Sequence, residues 1–335
     1  MTRERFEQPP RTLSYSGQVR RVGFEFEFAG VGLERSSQIV TELFGGEVKS
    51  SNRFCFRADG TRFGDFLVES DSSLLTKKKY EKYLRALGIE GGTPFAHTIE
   101  RLIASASEDF VPFEIVTPPI PLDQLDSVEE LREKLSQAGA RGTFAHVYAA
   151  YGLQFNPEMP DFEVETLLGY MRAFFLSYDY LVANSAVPLA RKILPFIDPF
   201  PEEYVEKVIH PDYRPSLESF MHDYLAFNPT RNRALDWLPL FAHIDRDLTF
   251  SYEVERDLIK PRPTLHYRLP SSLIDDPTWT IAGEWNKWVR VEKLAADPEA
   301  QAAMAEDWLE IHGPLQLRSE SRWLKRSGEW LDGKL

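Results

Sequence analysis

The chain reads as an α+β protein built on one mainly antiparallel sheet covered by helices, and three observations lead there. Apolar and polar residues alternate from Val22 to Phe28, the period of a half-buried strand. Strand-like and helix-like stretches then follow in the order strand, helix, hairpin, helices, strand, helix, strand, helices, strand, helices. Finally, 335 residues with 43% hydrophobic and 27% charged side chains can bury a substantial core, and no stretch has the composition of a linker. Residues 1–20 are therefore read as an extension and residues 21–335 as one domain.

The N-terminal 20 residues are polar and carry Pro9 and Pro10, so they are expected to lie across the surface. In the first strand Phe24, Phe26 and Phe28 point one way, Glu25 and Glu27 the other. Ser36 to Phe44 has helical periodicity and stops at Gly45-Gly46. Two strand-like runs, Arg53 to Arg57 and Phe63 to Ser70, flank Asp59-Gly60, which predicts a hairpin turn there. Lys77 to Asp109 turns helical, and Val111 to Val116 reads as a strand stopped by Pro118-Pro119. Ser127, with Glu130 three residues on, has the spacing of a capping box for a helix running to Gly139. Thr143 to Phe155 is strand-like, Phe162 to Ala183 a long apolar helix, and Pro195 to Pro215 a proline-rich connection. Thr230 to His243 is expected to be helical and Thr264 to Leu269 a last short strand. The C-terminal third has helical spacing, with Trp279, Trp285 and Trp288 as core packing. Such a sheet leaves one face open, where polar residues from several strands could line a common cavity.

Acidic residues outnumber basic ones by 52 to 39, a formal charge of -13, which opposes binding to nucleic acid or to anionic membranes. No segment offers the ~18 to 20 apolar residues of a membrane span, and the N-terminus lacks an apolar run of signal-peptide length, so a cytoplasmic protein is expected. The single cysteine, Cys55, leaves no internal disulfide, and it alternates with Phe54 and Phe56 like an ordinary strand residue.

Glu25 and Glu27 stand about 7 Å apart on one strand face, and alone they would be a solvated polar surface. Similar acids recur at Glu69 and Asp71 in VESDSSL and at Glu114 in FEIVTPPI. Glu114 lies between Phe113 and Ile115, where a charge is costly unless an arginine or a cation partners it. Three or more carboxylates facing one cavity repel unless a cation holds them, and oxygen ligands favour Mg2+ or Mn2+ over zinc.

The segments RRVGFEFEFAG, ESDSSL, FEIVTPPI, a strand ending GLQFNPE, and LHYRLP appear in the order found in the glutamine synthetase and glutamate-cysteine ligase superfamily. The chain resembles most closely the bacterial amidoligase family of these carboxylate-amine ligases, over roughly residues 20 to 295. That resemblance implies a glutamine synthetase-type catalytic sheet with helices on one face and the active site on the other. It implies an ATP- and metal-dependent ligase that forms an amide or isopeptide bond through an acyl phosphate. Its partners would be a small-molecule or peptide carboxylate, glutamate-like, and an amine, with a homo-oligomer left open. By the same resemblance Glu25 helps bind the metal associated with ATP, and Glu27 the metal near the acceptor carboxylate, with Asp71 and Glu114 completing that second site.

Two positions depart from the family pattern. The late strand, Glu-x-Arg in the family, reads His266-Tyr267-Arg268 here. Arg268 fits the expected role on substrate or phosphate, whereas His266 replaces a metal-binding Glu. Gln154 stands where the family often has a metal-binding His. The set loses one negative charge, which lowers affinity for Mg2+ and favours Mn2+, or else marks a decayed site. Arg231, Asn232 and Arg233 lie where the family carries substrate- or phosphate-binding residues, although the start of a surface helix explains them nearly as well. Lys77-Lys78-Lys79 is weighed as a phosphate contact against a solvated helix face, and His146 as a displaced ligand against a core histidine. Glu69 is the candidate base that takes the proton from the amine.

No phosphate-binding glycine loop, serine elbow or His-Glu-x-x-His is present. The alternatives to the ligase are a non-catalytic nucleotide- or ligand-binding relative of the same fold and a metal-dependent hydrolase.

Overall fold

Both edges of strand β1 (Arg21–Phe28) find partners, which puts it in the middle of the sheet. β5 (Phe113–Val116) pairs with one edge and β7 (Leu153–Pro157) with the other, while β6 (Ile120–Pro121) joins at Arg21 and Val22. Beyond β5 follow β4 (Gly64–Ser70), β3 (Cys55–Thr61) and β2 (Glu47–Asn52); beyond β7 follow the two-residue strands β9 (His266–Tyr267) and β8 (Leu235–Asp236). The order β2-β3-β4-β5-β1-β7-β9-β8 is antiparallel throughout. This computed structural model describes residues 4–70, 112–143, 151–185, 197–313 and 319–333.

Ten α-helices accompany the sheet among the described residues. They are α1 (Leu33–Phe44), α2 (Asp126–Gln137), α3 (Val164–Asn184), α4 (Glu202–Ile209), α5 (Leu217–Phe227), α6 (Leu238–Ile244), α7 (Arg246–Ser251), α8 (Ile281–Ala295), α9 (Pro298–Ile311) and α10 (Ser319–Gly333). None is long and apolar enough to cross a membrane. The architecture is α+β with a mainly antiparallel sheet.

Alternation decides which side of each strand is buried. Phe24, Phe26 and Phe28 are almost completely buried, each contributing roughly 1.5–3 kcal/mol. The ring of Phe155, opposite Phe24 in the register, lies 5.9 Å from Trp285 of α8, and Tyr267 lies 5.0 Å from Trp288. The three tryptophans of the late region are core residues, as the periodicity indicated. Glu25, Gln154 and His266 alternate with these aromatic residues along their strands and face the other way.

Several local expectations change. The turn between β3 and β4 is at Arg62-Phe63, with Thr61 paired to Gly64; Gly60, at φ 71°, serves an irregularity between Ala58 and Thr61. The capping box does not form, because α2 begins at Asp126 and the Ser127 hydroxyl donates to the Gln124 carbonyl. Thr230 to His243 is not one helix: β8 interrupts it before α6, since Leu235 and Asp236 pair with β9. β2 was not foreseen at all. The helix expected from Lys77 to Asp109 lies outside the described residues, as does most of the stretch leading to β7.

The N-terminal residues do more than cross the surface. The Glu7 N–H donates to Asn286 Oδ1 (2.8 Å), and Trp285 Nε1 donates to the Glu7 carbonyl (2.9 Å). Arg20, buried, forms a two-pronged pair with Glu292 at 2.7 and 2.9 Å, and the same carboxylate accepts from Tyr170 and Trp288. A buried ion pair persists only when its remaining hydrogen-bonding capacity is also met, as here.

Candidate active site

The register lines up the acids of the sheet. Glu27 of β1 is directly opposite Glu114 of β5, Glu114 is opposite Glu69 of β4, and Glu69 is opposite Cys55 of β3. Directly opposed side chains start about 4.5–5.5 Å apart at Cβ, close enough for like charges to repel. Glu27 leans toward β7, where its Oε2 accepts the Gly152 N–H (2.7 Å) and its Oε1 accepts from Gln154 Nε2 (3.2 Å). Burial and then the Glu27 charge push the Tyr151 hydroxyl up to about 12.

On the β7–β9–β8 side the face turns basic. His266 is buried, and its Nε2 lies 2.6 Å from Gln154 Oε1 while its Nδ1 receives Arg268 Nη2 at 3.2 Å. Burial first, and Arg268 second, push the imidazole down to about 4, so it is neutral at pH 7. Glu25 Oε1 accepts from Asn156 Nδ2 (2.9 Å), and Asn156 Oδ1 in turn accepts from Arg262 Nη2 (2.7 Å). Burial alone would raise the Glu25 carboxyl, but His266, Arg262 and the Asn156 hydrogen bond outweigh it and hold the group below the usual carboxylate range. Asp236, fully buried, accepts the Leu238 N–H at 3.0 Å through one oxygen. The other stands 3.5 Å from Arg268 Nη2, 3.7 Å from Arg231 Nε and 3.8 Å from His266 Nδ1.

Most residues singled out in the sequence have a place in the structure. Glu27, Glu69 and Glu114 form the carboxylate row; Glu25, Gln154, His266 and Arg268 lie in the second group, joined by Arg231. Asn232 and Arg233 do not reach it. The Asn232 carbonyl accepts from Asp198 (2.8 Å), while Arg233 turns to Asn228 Oδ1 (2.9 Å) and the Pro199 carbonyl. Asp71, the Lys77 to Lys79 run and His146 lie outside the described residues. Sequence reasoning missed Asn156, Asp236 and Arg262. Asp236 had a signal, a carboxylate inside the apolar run ALDWLPLF, the same kind that drew attention to Glu114.

Fit to a metal differs between the two groups. Glu27 and Glu114 offer the hard oxygens that Mg2+ and Mn2+ take. Glu25, Gln154 and His266 are tied to one another and to Asn156 and do not fit an ion as they stand. Among the described residues no three His, Cys, Asp or Glu side chains converge as ion ligands.

No curated protein and no solved structure matches the chain significantly. Residues 18–290, which include both groups of the site, match the family model described as "Putative amidoligase enzyme". Because that match spans well over half of the chain, the protein belongs to this amidoligase family.

Proposed function

We propose that the protein is an ATP-dependent carboxylate-amine ligase that makes an amide or isopeptide bond through an acyl phosphate, with a glutamate-like acid or peptide as acceptor. Membership of an amidoligase family supports amide-bond formation. The observation that carries the finer reading is the division of one sheet face into a carboxylate row, Glu27–Glu114–Glu69, and an arginine group, Arg231, Arg262 and Arg268.

The reaction needs both. In the first step a carboxylate oxygen attacks the γ-phosphorus, the bond to the β-phosphate bridging oxygen breaks, and ADP leaves. Two anions must approach, and guanidinium groups fixed nearby lower that barrier without reorganising. In the second step the amine adds to the acyl carbon, phosphate leaves with the C–O electron pair, and the amine proton passes to a carboxylate, for which Glu69 is our candidate. A divalent ion, Mg2+ or Mn2+, would be held by Glu27 and Glu114 with Asp71 and would neutralise phosphate charge there. The arrangement also supports the wider picture of an open face carrying the site on a glutamine synthetase-type sheet.

One observation favours a second reading, a non-catalytic nucleotide- or ligand-binding relative. Gln154 and His266 are already hydrogen-bonded to each other, and Glu25 to Asn156. ADP release by the purified protein, assayed with Mg2+ or Mn2+ across a panel of acids and amines, separates the two. The ligase reading expects release that depends on one acid–amine pair, lowered by on the order of 10²-fold or more in Glu27→Ala. No release with any pair, together with no ATP binding, would sink it.

A further inference from the structure

The position that the resemblance assigns to the ATP-associated metal is closed by hydrogen bonds among its own side chains. Gln154 Nε2 donates to Glu27, which turns Gln154 Oε1 toward His266. That oxygen lies 2.6 Å from Nε2, and on the far side of the ring Nδ1 takes a hydrogen bond from Arg268 at 3.2 Å. An arginine can only donate, so Nδ1 presents its lone pair and Nε2 carries the ring proton. Nε2 is also the nitrogen 3.6 Å from Glu25 Oε2, and a protonated ring nitrogen has no lone pair for a metal.

The charge around it belongs to arginines. Arg262 stands 2.7 Å from Asn156 Oδ1 and 4.0 Å from Glu25; Arg268 and Arg231 stand 3.5 and 3.7 Å from Asp236. Three guanidinium groups thus stand against the carboxylates of Glu25 and Asp236, with the Glu255 carboxylate also acting on Arg231. Two buried polar atoms here lack a hydrogen-bond partner among the described residues, Asp236 Oδ2 and Arg231 Nε, and their 3.7 Å separation is too long for a bond between them. Arg231 thus holds a buried donor with no hydrogen-bond partner among the described residues, beside two further guanidinium groups.

The geometry points to an oxyanion site in place of that metal site: Arg231, Arg262 and Arg268 take a phosphoryl or carboxylate group directly, with no divalent ion at Glu25, Gln154 and His266. What the anion does there rests on the ligase reading, while its binding does not. Guanidinium is planar, permanently charged and matched to two oxygens of such a group, so it can supply without a metal the charge and the direction that an ion would bring. A divalent cation at the same point would meet three fixed positive charges and an N–H.

Calorimetric titration of the full chain in EDTA, with pyrophosphate and separately with glutarate, tests this. At least one is expected to bind, and the one that does identifies the phosphoryl or the carboxylate source. Arg262→Gln and Arg231→Gln, each checked by thermal melting, are expected to weaken that binding about tenfold or more, the usual loss for a charged hydrogen bond. Mn2+ affinity, read by electron paramagnetic resonance, should be the same in His266→Gln as in the wild type. No binding of either probe in EDTA, binding that appears only with Mn2+, or loss of Mn2+ affinity in His266→Gln would each overturn the inference. Anion binding in EDTA, with no ADP release from any acid–amine pair and no ATP binding, leaves the oxyanion site standing and removes the ligase; ADP release without anion binding in EDTA does the reverse.

Discussion

At the scale of residues, His266 shows how burial sets a proton. Its conjugate acid titrates near 4 in the fold against 6.5 in the unfolded chain, so on acidification the unfolded state takes the proton first. The stabilising contribution is fully present above about pH 6.5 and is lost progressively down to about 4, some 3 kcal/mol in all. Urea denaturation at pH 7 and at pH 5 should show the wild type losing about 2 kcal/mol more than His266→Gln over that interval. Equal losses would mean that the imidazole is not held neutral. Glu25 stays ionised through this window, because it is held below the usual carboxylate range. Legibility at this scale followed context: Glu27 and Glu114 could be read because each interrupts aromatic or β-branched neighbours. Arg262 could not, since PRPTL has no period and only the fold brings it to Asn156, 106 residues away.

At the scale of elements, glycines separate strain from contact. Gly46, after α1, has φ 86°, and an added Cβ would lie 2.4 Å from the Asp59 carbonyl. Gly60 has φ 71° but open space around it. Gly60→Ala should therefore cost on the order of 1 kcal/mol from backbone conformation alone, and Gly46→Ala clearly more, because the chain must also move. Chemical denaturation of the two variants checks the order, and equal costs would contradict it. The long or strongly patterned elements, β1, α1, α3 and β5, were legible from period. β2 was not, because EVKSSN is exposed or half-exposed along its whole length and carries no alternation. β8 hid inside ALDWLPLF, where helical appearance yields to a two-residue pairing with β9 that only the folded chain supplies.

At the scale of the molecule, distant parts of the chain depend on one another. Glu292 of α8 neutralises Arg20, 272 residues away, and satisfies Tyr170 and Trp288 as well. Glu292→Ala leaves a buried guanidinium without its counter-charge, and a loss of about 3–5 kcal/mol is expected in urea titration. A loss under 1 kcal/mol would show that Arg20 reaches water in the variant.

The pairing order of the sheet has a consequence in time. β1 is made well before the elements it packs with: its partner β7 comes more than 120 residues later, and α8, whose Trp285 packs on Phe155 beside Phe24, more than 250 residues later. At roughly 5–20 residues per second, the wait for α8 is on the order of ten to fifty seconds. Throughout it the aromatic layer of Phe24 and Phe155 lacks the cover of Trp285, so the nascent chain is most exposed to aggregation, and most in need of a chaperone, before α8 has been made.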